Sequence, residues 1–292
     1  MNNNKDTESR YREDHRTVIP TPWKEINDLL QGGLGNGDFG LIFGNPGGGK
    51  SWSLVALGGY AVSLGYNVLH YTLELGSDYV GRRYDAFFTG IGVQNIAQHK
   101  DQIEAKVNTL QGQLIIKEFP PGKASVSTIE SHIKKCEDLD FKADLIIIDY
   151  VDLLRSKKTN RERKDEIDDI YVSTKGLARE LNLPVWSVSQ VNRAGAKDNI
   201  IEGDKAAGSY DKMMITDVAI SLSRKKEDKV NGTGRLHIMK NRYGMDGLSY
   251  YMKVDTSTGH FQVMSQMDED DEQNQNHPLS KHQFSNNISP VD

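Results

Sequence analysis

The chain has a single cysteine, Cys136, so no internal disulfide can form and a reducing compartment is implied. Its body carries no surplus charge either. Of 41 acidic and 36 basic residues, six acids and one base fall from Asp268 onward, which leaves 35 of each before it. A global field that would attract nucleic acid is thereby excluded, and any such site has to be a local patch. No apolar leader opens the sequence, since Met1 to Asp14 is polar and charged. One stretch is long enough to raise a membrane span: Ser51 to Leu73 carries no Asp, Glu, Lys or Arg. It contains serines, glycines, Asn67 and His70, however, and reads better as a buried helix followed by a buried strand. No internal repeat is found. These absences point to a soluble, cytoplasmic protein without a membrane partner.

What is present is an alternation of helical and strand patterns, the mark of an α/β domain with a mostly parallel sheet and helices on both faces. The 292 residues suffice for one large domain of this kind. Residues 1–17 read as a flexible polar arm, 18–264 as the domain, and 265–292 as a disordered acidic and polar tail. A helix is expected up to about Leu64, ended by Gly65, and a buried strand over Asn67 to Leu73. Further strands are expected at Leu114–Lys117, Leu145–Asp149, Val185–Ser189, Asp217–Leu222, Arg235–Lys240 and Ser249–Val254, the last two as an antiparallel hairpin. Ser127 and Glu130 have capping-box spacing before a helix whose Ile129, Ile133 and Cys136 share a face. A second long helix runs from Ile167 to Leu181 and stops before Pro184.

The densest chemical signal is Gly44-Asn45-Pro46-Gly47-Gly48-Gly49-Lys50-Ser51, placed between the apolar run Phe39–Phe43 and a helix-forming stretch that opens with Trp52. Strand, glycine loop and helix in that order make a phosphate-binding loop. Successive backbone N–H groups turn inward around a phosphate, and the helix N-terminus adds a favourable dipole. Lys50 is expected at the β- and γ-phosphates of ATP and the Ser51 hydroxyl on Mg²⁺. Three more strands end in polar groups: Glu74, Asp149 and Gln190. In parallel sheets functional groups gather at that edge. Asp149, after four apolar residues, suits the Mg²⁺ shell; Glu74 is placed to activate water as a general base; Gln190 is placed to contact the γ-phosphate.

Taken together, these motifs resemble the motor domain of the DnaB-type replicative helicases, within the RecA-like ATPases. The resemblance rests on Ile19-Pro20-Thr21-Pro22-Trp23, Gly32-Gly33-Leu34, the phosphate loop, His70 to Leu75, Asp144 to Leu153, Leu181 to Val185 with Ser189 to Arg193, and Met239 to Gly244. It covers roughly Ile19 to Val263 and implies a RecA-like P-loop core. It implies that Glu74 is the catalytic glutamate, and that Lys240 and Arg242 are fingers reaching the neighbouring subunit's γ-phosphate. Being one residue apart, those two share a face if the segment is a strand. It also implies a homo-oligomeric, six-membered ring on single-stranded DNA, 5′ to 3′ travel, and primase or other replication proteins as partners.

The loop after Gln190 falls at the family's DNA-binding position. Arg193, Lys197, Lys205 and Gly208 are the candidates, with Lys212 adding charge. Here the chain departs from the family pattern: a lysine stands for the usual arginine, and Ala206 or Ala207 for a glutamate. A second basic run, Lys157, Lys158, Arg161, Arg163 and Lys164, reads first as a solvated loop. The helical N-terminal domain usual in the family has no counterpart in the fewer than twenty residues before the motor. Two other readings stay open from sequence: a RecA-like recombination or repair ATPase forming filaments, and an ATP-dependent clamp or loader that does not unwind.

Overall fold

The computed structural model describes residues 17–157, 162–191, 200–201 and 209–268. In chain order these form β1 (Val18–Ile19), α1 (Lys24–Leu29), β2 (Leu34–Gly35), β3 (Phe39–Gly44), α2 (Lys50–Ser63), β4 (Val68–Thr72), α3 (Ser77–Thr89) and α4 (Lys100–Val107). There follow β5 (Leu114–Glu118), α5 (Val126–Glu137), β6 (Leu145–Asp149), α6 (Arg163–Leu181), β7 (Val185–Gln190), α7 (Ser209–Ile215), β8 (Val218–Ser223) and α8 (Lys226–Asn231). The last three elements are β9 (Thr233–Asn241), β10 (Ser249–Val254) and β11 (Phe261–Gln266).

One nine-stranded sheet organises the chain, in the order β11-β10-β9-β8-β3-β7-β6-β4-β5. From β8 to β5 every pairing is parallel, and β9, β10 and β11 are added antiparallel at one edge. Parallel strands covered on both faces must be apolar on both, which is why β6 reads Leu-Ile-Ile-Ile before its aspartate. Alternate side chains go to opposite cores. Leu145 and Ile147 join Trp52, Leu54 and Val55 of α2 and Val80 and Tyr84 of α3. Ile146 and Ile148 join Ile129, Ile133 and Cys136 of α5 and Ile170, Tyr171 and Leu177 of α6. Trp186 of β7 lies over Gly40 of β3, where a Cβ would sit 2.5 Å from the indole, so only glycine leaves room for that ring.

The expected α/β architecture with its appended hairpin is therefore present, with two differences. A third antiparallel strand, β11, follows the hairpin and runs to Gln266, past the Met264 at which the sequence pattern fades. It also holds the start of the domain, because Trp23 Nε1 donates to the Phe261 carbonyl at 3.0 Å. The capping box is shifted. The N-cap is Ser125, whose hydroxyl accepts from Thr128 N at 3.3 Å while Thr128 Oγ1 accepts from Ser125 N at 3.1 Å. An earlier start brings Val126 into the buried face, and it frees Glu130 to pair with Lys134 at 2.6 Å.

Asp217, fully buried just before β8, ties three elements together. Its Oδ2 accepts from Phe39 N at 2.8 Å and pairs with Lys175 of α6, while Arg242 approaches Oδ1 at 2.9 Å. Removing one partner of a buried pair strands the other charge. Asp217→Ala should therefore lower stability by roughly 3–5 kcal/mol in urea unfolding. The double variant Asp217→Leu with Lys175→Met should recover much of that loss; equal instability of both would contradict this account.

Candidate active site

The sheet register brings the polar strand ends to one edge. Gly44 of β3 pairs with Gln190 of β7, and Thr72 of β4 pairs with Asp149 of β6. Two residues past Thr72, Glu74 is held in a tight turn: Thr72 Oγ1 donates to the Leu75 carbonyl at 2.7 Å and accepts from Leu75 N at 3.2 Å. These ends and the phosphate loop border a cleft of about 450 Å³. Lys50, Ser51, Trp52, Glu74, Asp149 and Gln190 all line it, as do Pro46, Gly47 and Gly49. Glu74 and Gln190 are exposed to solvent there, whereas Asp149 is 1% exposed.

The loop has the shape its glycines permit. Gly47 and Gly49 have φ of 66° and 102°, a region that side chains with a Cβ rarely enter. Gly48 N donates to the Asn45 carbonyl at 3.0 Å, closing the turn that leads into α2 at Lys50. Lys50 Nζ donates to the Asn45 carbonyl at 3.0 Å, so its ammonium bridges the loop. Burial pushes the Lys50 pKa down; Glu74 and Asp149 pull it back up.

Asp149 carries the clearest demand for a ligand. Burial raises its pKa to about 6, against a lowering hydrogen bond with Ser51 and a further raising by Glu74. Its Oδ1 is buried with no hydrogen-bond partner. An orphaned carboxylate oxygen beside a serine hydroxyl, at a phosphate loop, fits Mg²⁺, which takes one or two protein oxygens and completes its shell with phosphate and water. Among the described residues no group of three or more His, Cys, Asp and Glu gathers into a metal cluster of its own.

Three cations in the cleft escaped the sequence reading. Arg83 of α3 lies over the Trp52 ring, 4.9 Å from its centroid, and feels both Asp149 and Glu74. Its signal was its place three residues after buried Val80, on the same helix face. Arg224 follows the end of β8, so the strand-end rule used for Gln190 would have found it. Lys229 sits on α8. With Lys50, four cationic side chains thus line the cleft against the two carboxylates Glu74 and Asp149, a balance that favours a polyanion.

Lys240 and Arg242 stand elsewhere. Strand β9 ends at Asn241, so Arg242 lies one residue beyond it. Both cations nevertheless fall on the side covered by α6 and α7: Lys240 Nζ donates to the Met213 and Met214 carbonyls at 3.0 and 2.8 Å, and Arg242 meets Asp217. Neither lines the cleft.

Arg193, Lys197, Lys205 and Gly208 lie outside the described residues, as do Lys158 and Arg161. The expectation for Lys212 needs correction. Its ammonium is turned inward, paired with Asp152, 2.9 Å from Ser189 Oγ and over the Tyr171 ring, so it lends no charge to a loop surface. Asp152 and Ser189 form a polar pocket under α7 that a solvent-facing lysine would leave unsatisfied. Arg163 and Lys164 of the second basic run are likewise paired, with Glu166 and Asp211.

With this geometry in hand, comparison with known proteins decides the lineage. The sequence profile of the DnaB-like helicase C terminal domain matches residues 18–261. This chain belongs to that family. A DnaB-like replicative helicase of Enterobacteria phage T4 is 22% identical over 238 residues, covering 77% of this chain and 50% of that protein. The replicative DNA helicase DnaB of Geobacillus stearothermophilus is 29% identical over 194 residues, covering 63% and 41%. Among solved structures, the ATPase domain of G40P superposes with a TM-score of 0.73 at 20% identity, covering 88% of this chain and 95% of that one. A DnaB-like replicative helicase studied for its interactions with primase gives the same TM-score and identity, with 66% of its chain covered. The chain spans about half the length of the curated relatives it matches. No helix among the described residues of this DnaB-like domain is long and apolar enough to cross a membrane.

The raised Asp149 pKa has a signed consequence for the ligand-free protein. Ionising this carboxyl is harder folded than unfolded, so its cost to stability is absent below pH 4, grows between pH 4 and 6, and is complete above. Asp149→Asn should therefore be more stable than the parent at pH 7, by roughly 2–3 kcal/mol, with the gap closing toward pH 4. Urea midpoints across that range measure it, and a gap independent of pH would refute it.

Proposed function

We propose that this chain is the motor of an ATP-driven helicase that moves on single-stranded DNA and unwinds duplex during replication. The observation that carries the reading is the cleft itself: a phosphate loop, an orphaned buried carboxylate and an exposed glutamate on adjoining strand ends of one sheet. Lys50 and the loop N–H groups bind the β- and γ-phosphates. Ser51 and Asp149 hold Mg²⁺, which when bound neutralises the phosphate charge that develops during transfer. Glu74 accepts a proton from the attacking water, its exposure letting water reach it. Gln190, on the strand beside the loop, contacts the γ-phosphate and passes its presence to the following segment, where Arg193, Lys197, Lys205 and Gly208 meet DNA.

Lys240 and Arg242 complete the site of an adjacent copy. Their distance from their own cleft supports this division, because a stabilising cation has to reach the transferring phosphoryl group. Six copies in a ring, travel from 5′ to 3′, and a primase among the partners follow the family resemblance. Hydrolysis at one seam then loosens the contact between two copies and shifts the DNA segment.

Lys50→Ala should abolish ATP turnover. Arg242→Ala should lower kcat by about 10³-fold or more while leaving nucleotide binding largely intact. Mass measurement with and without ATP and single-stranded DNA should show assembly, and turnover should rise with it. A monomer that hydrolyses ATP at full rate, or an Arg242→Ala variant with normal turnover, would overturn the shared site. Steady turnover without strand displacement would favour a clamp, and open helical filaments a recombination-type ATPase.

A further inference from the structure

The cleft is flanked on its second side by a cation with no role so far. β3 has two parallel neighbours: β7, which brings Gln190, and β8, which leads into α8. α8 is short but firmly seated. Buried Asp228 accepts from Lys225 N at 2.7 Å and Thr233 Oγ1 at 3.1 Å, and pairs with buried Arg235 of β9 at 2.8 Å. One residue on, Lys229 leaves this anchored turn toward the phosphate loop. Its Nζ is 3.4 Å from the Pro46 carbonyl, and a Cβ at Gly47 would lie 3.2 Å from it. Among the described residues it has no ion-pair partner, and its side chain is exposed.

A lysine without a carboxylate, held over the third and fourth residues of a phosphate loop by a buried ion pair, is placed for an anion. We propose that Lys229 is a second same-subunit lysine for the terminal phosphates of the bound nucleotide, gripping from the β8 side what Lys50 grips from the loop. The inference rests on reading the cleft as a triphosphate site and adds a residue to it. The long bond to Pro46 is the resting contact, released when phosphate oxygens offer a charged acceptor. Lys229 and Lys50 line the same cleft, and Lys229 is near enough to disfavour the charge on Lys50, so both address the same anionic space. The arrangement gives each subunit a second lysine of its own at the phosphates, separate from any cation that a neighbour supplies.

Affinity for AMP, ADP and ATP, measured calorimetrically with Mg²⁺ on the full chain, tests this. Lys229→Ala should weaken ATP about tenfold, ADP less and AMP hardly at all, while Lys229→Arg retains most of the affinity. Lys229→Glu should weaken ATP further, and added salt should narrow these differences. The melting temperature should not move, since Lys229 is exposed. An equal loss for all three nucleotides would mean that Lys229 only pins the loop, and unchanged ATP affinity would mean that it does nothing there; either result overturns the proposal. Lys50→Ala, measured alongside, separates the two levels: if it too binds ATP normally, the triphosphate site itself is wrong.

Discussion

Everything in the cleft depends on one carboxylate kept where water is scarce. Asp149 ends a strand apolar on both faces, and the sheet carries it to the bottom of the cleft with one oxygen unsatisfied. A buried charge of this kind is expensive alone and favourable beside a cation, so the apo protein is poised against itself at this point. Lys50 and Arg83 relieve part of the cost, and their own burial limits how much. In the proposed site the remainder would favour ligand capture, because a divalent cation arriving with a polyphosphate would satisfy Asp149, Lys50 and the Arg83 guanidinium at once. The same contrast in burial separates the roles proposed for the two carboxylates. Glu74 lies at the exposed end of its turn, where a base would meet water, and Asp149 lies buried, where a metal ligand would be shielded from it.

A second buried carboxylate, Asp217, is held by partners within the chain. It fixes α6 to the start of β3, the strand that carries the phosphate loop, through Lys175 and Phe39 N. Arg242 joins this node from the end of β9. The antiparallel strands are thus tied to the parallel core at a charged point, in addition to the ladder between β8 and β9.

Much of this was legible in the chain. A strand buried on both faces favours a run of Leu, Ile and Val, and β6 is such a run up to its terminal Asp149. The phosphate loop is a local motif whose glycines are needed for backbone shape, and local shape is what sequence encodes most directly. Arg83, Arg224 and Lys229 were not legible in the same way. Their work depends on which helix turn or strand end the fold lays beside the loop, a matter of tertiary placement. Lys212 shows the converse: a lysine near a candidate DNA segment invites a solvent-facing reading, yet the acid that claims it, Asp152, is sixty residues away. The capping box slipped because two serines two residues apart both had a partner at the right spacing, and burial of Val126 decided between them.

The placement of Arg242 bears on how a shared site could open and close. In one copy the guanidinium rests against Asp217 with its side chain 46% exposed, and a half-exposed pair of this sort contributes little stability. When the arginine leaves, Asp217 is not stranded, because Lys175 and Phe39 N still hold its other oxygen. A transfer to a neighbour's phosphate therefore costs little on the donor side, which is what a contact made and broken in every cycle requires. Lys240 differs, since it leaves two carbonyls at the end of α7 when it moves. Those carbonyls belong to the helix that follows residues 202–208, so reaching toward a neighbour and releasing that helix would be one motion. In the proposed motor, a cation that changes partners in this way links phosphate chemistry at a seam to the segment that tracks the strand.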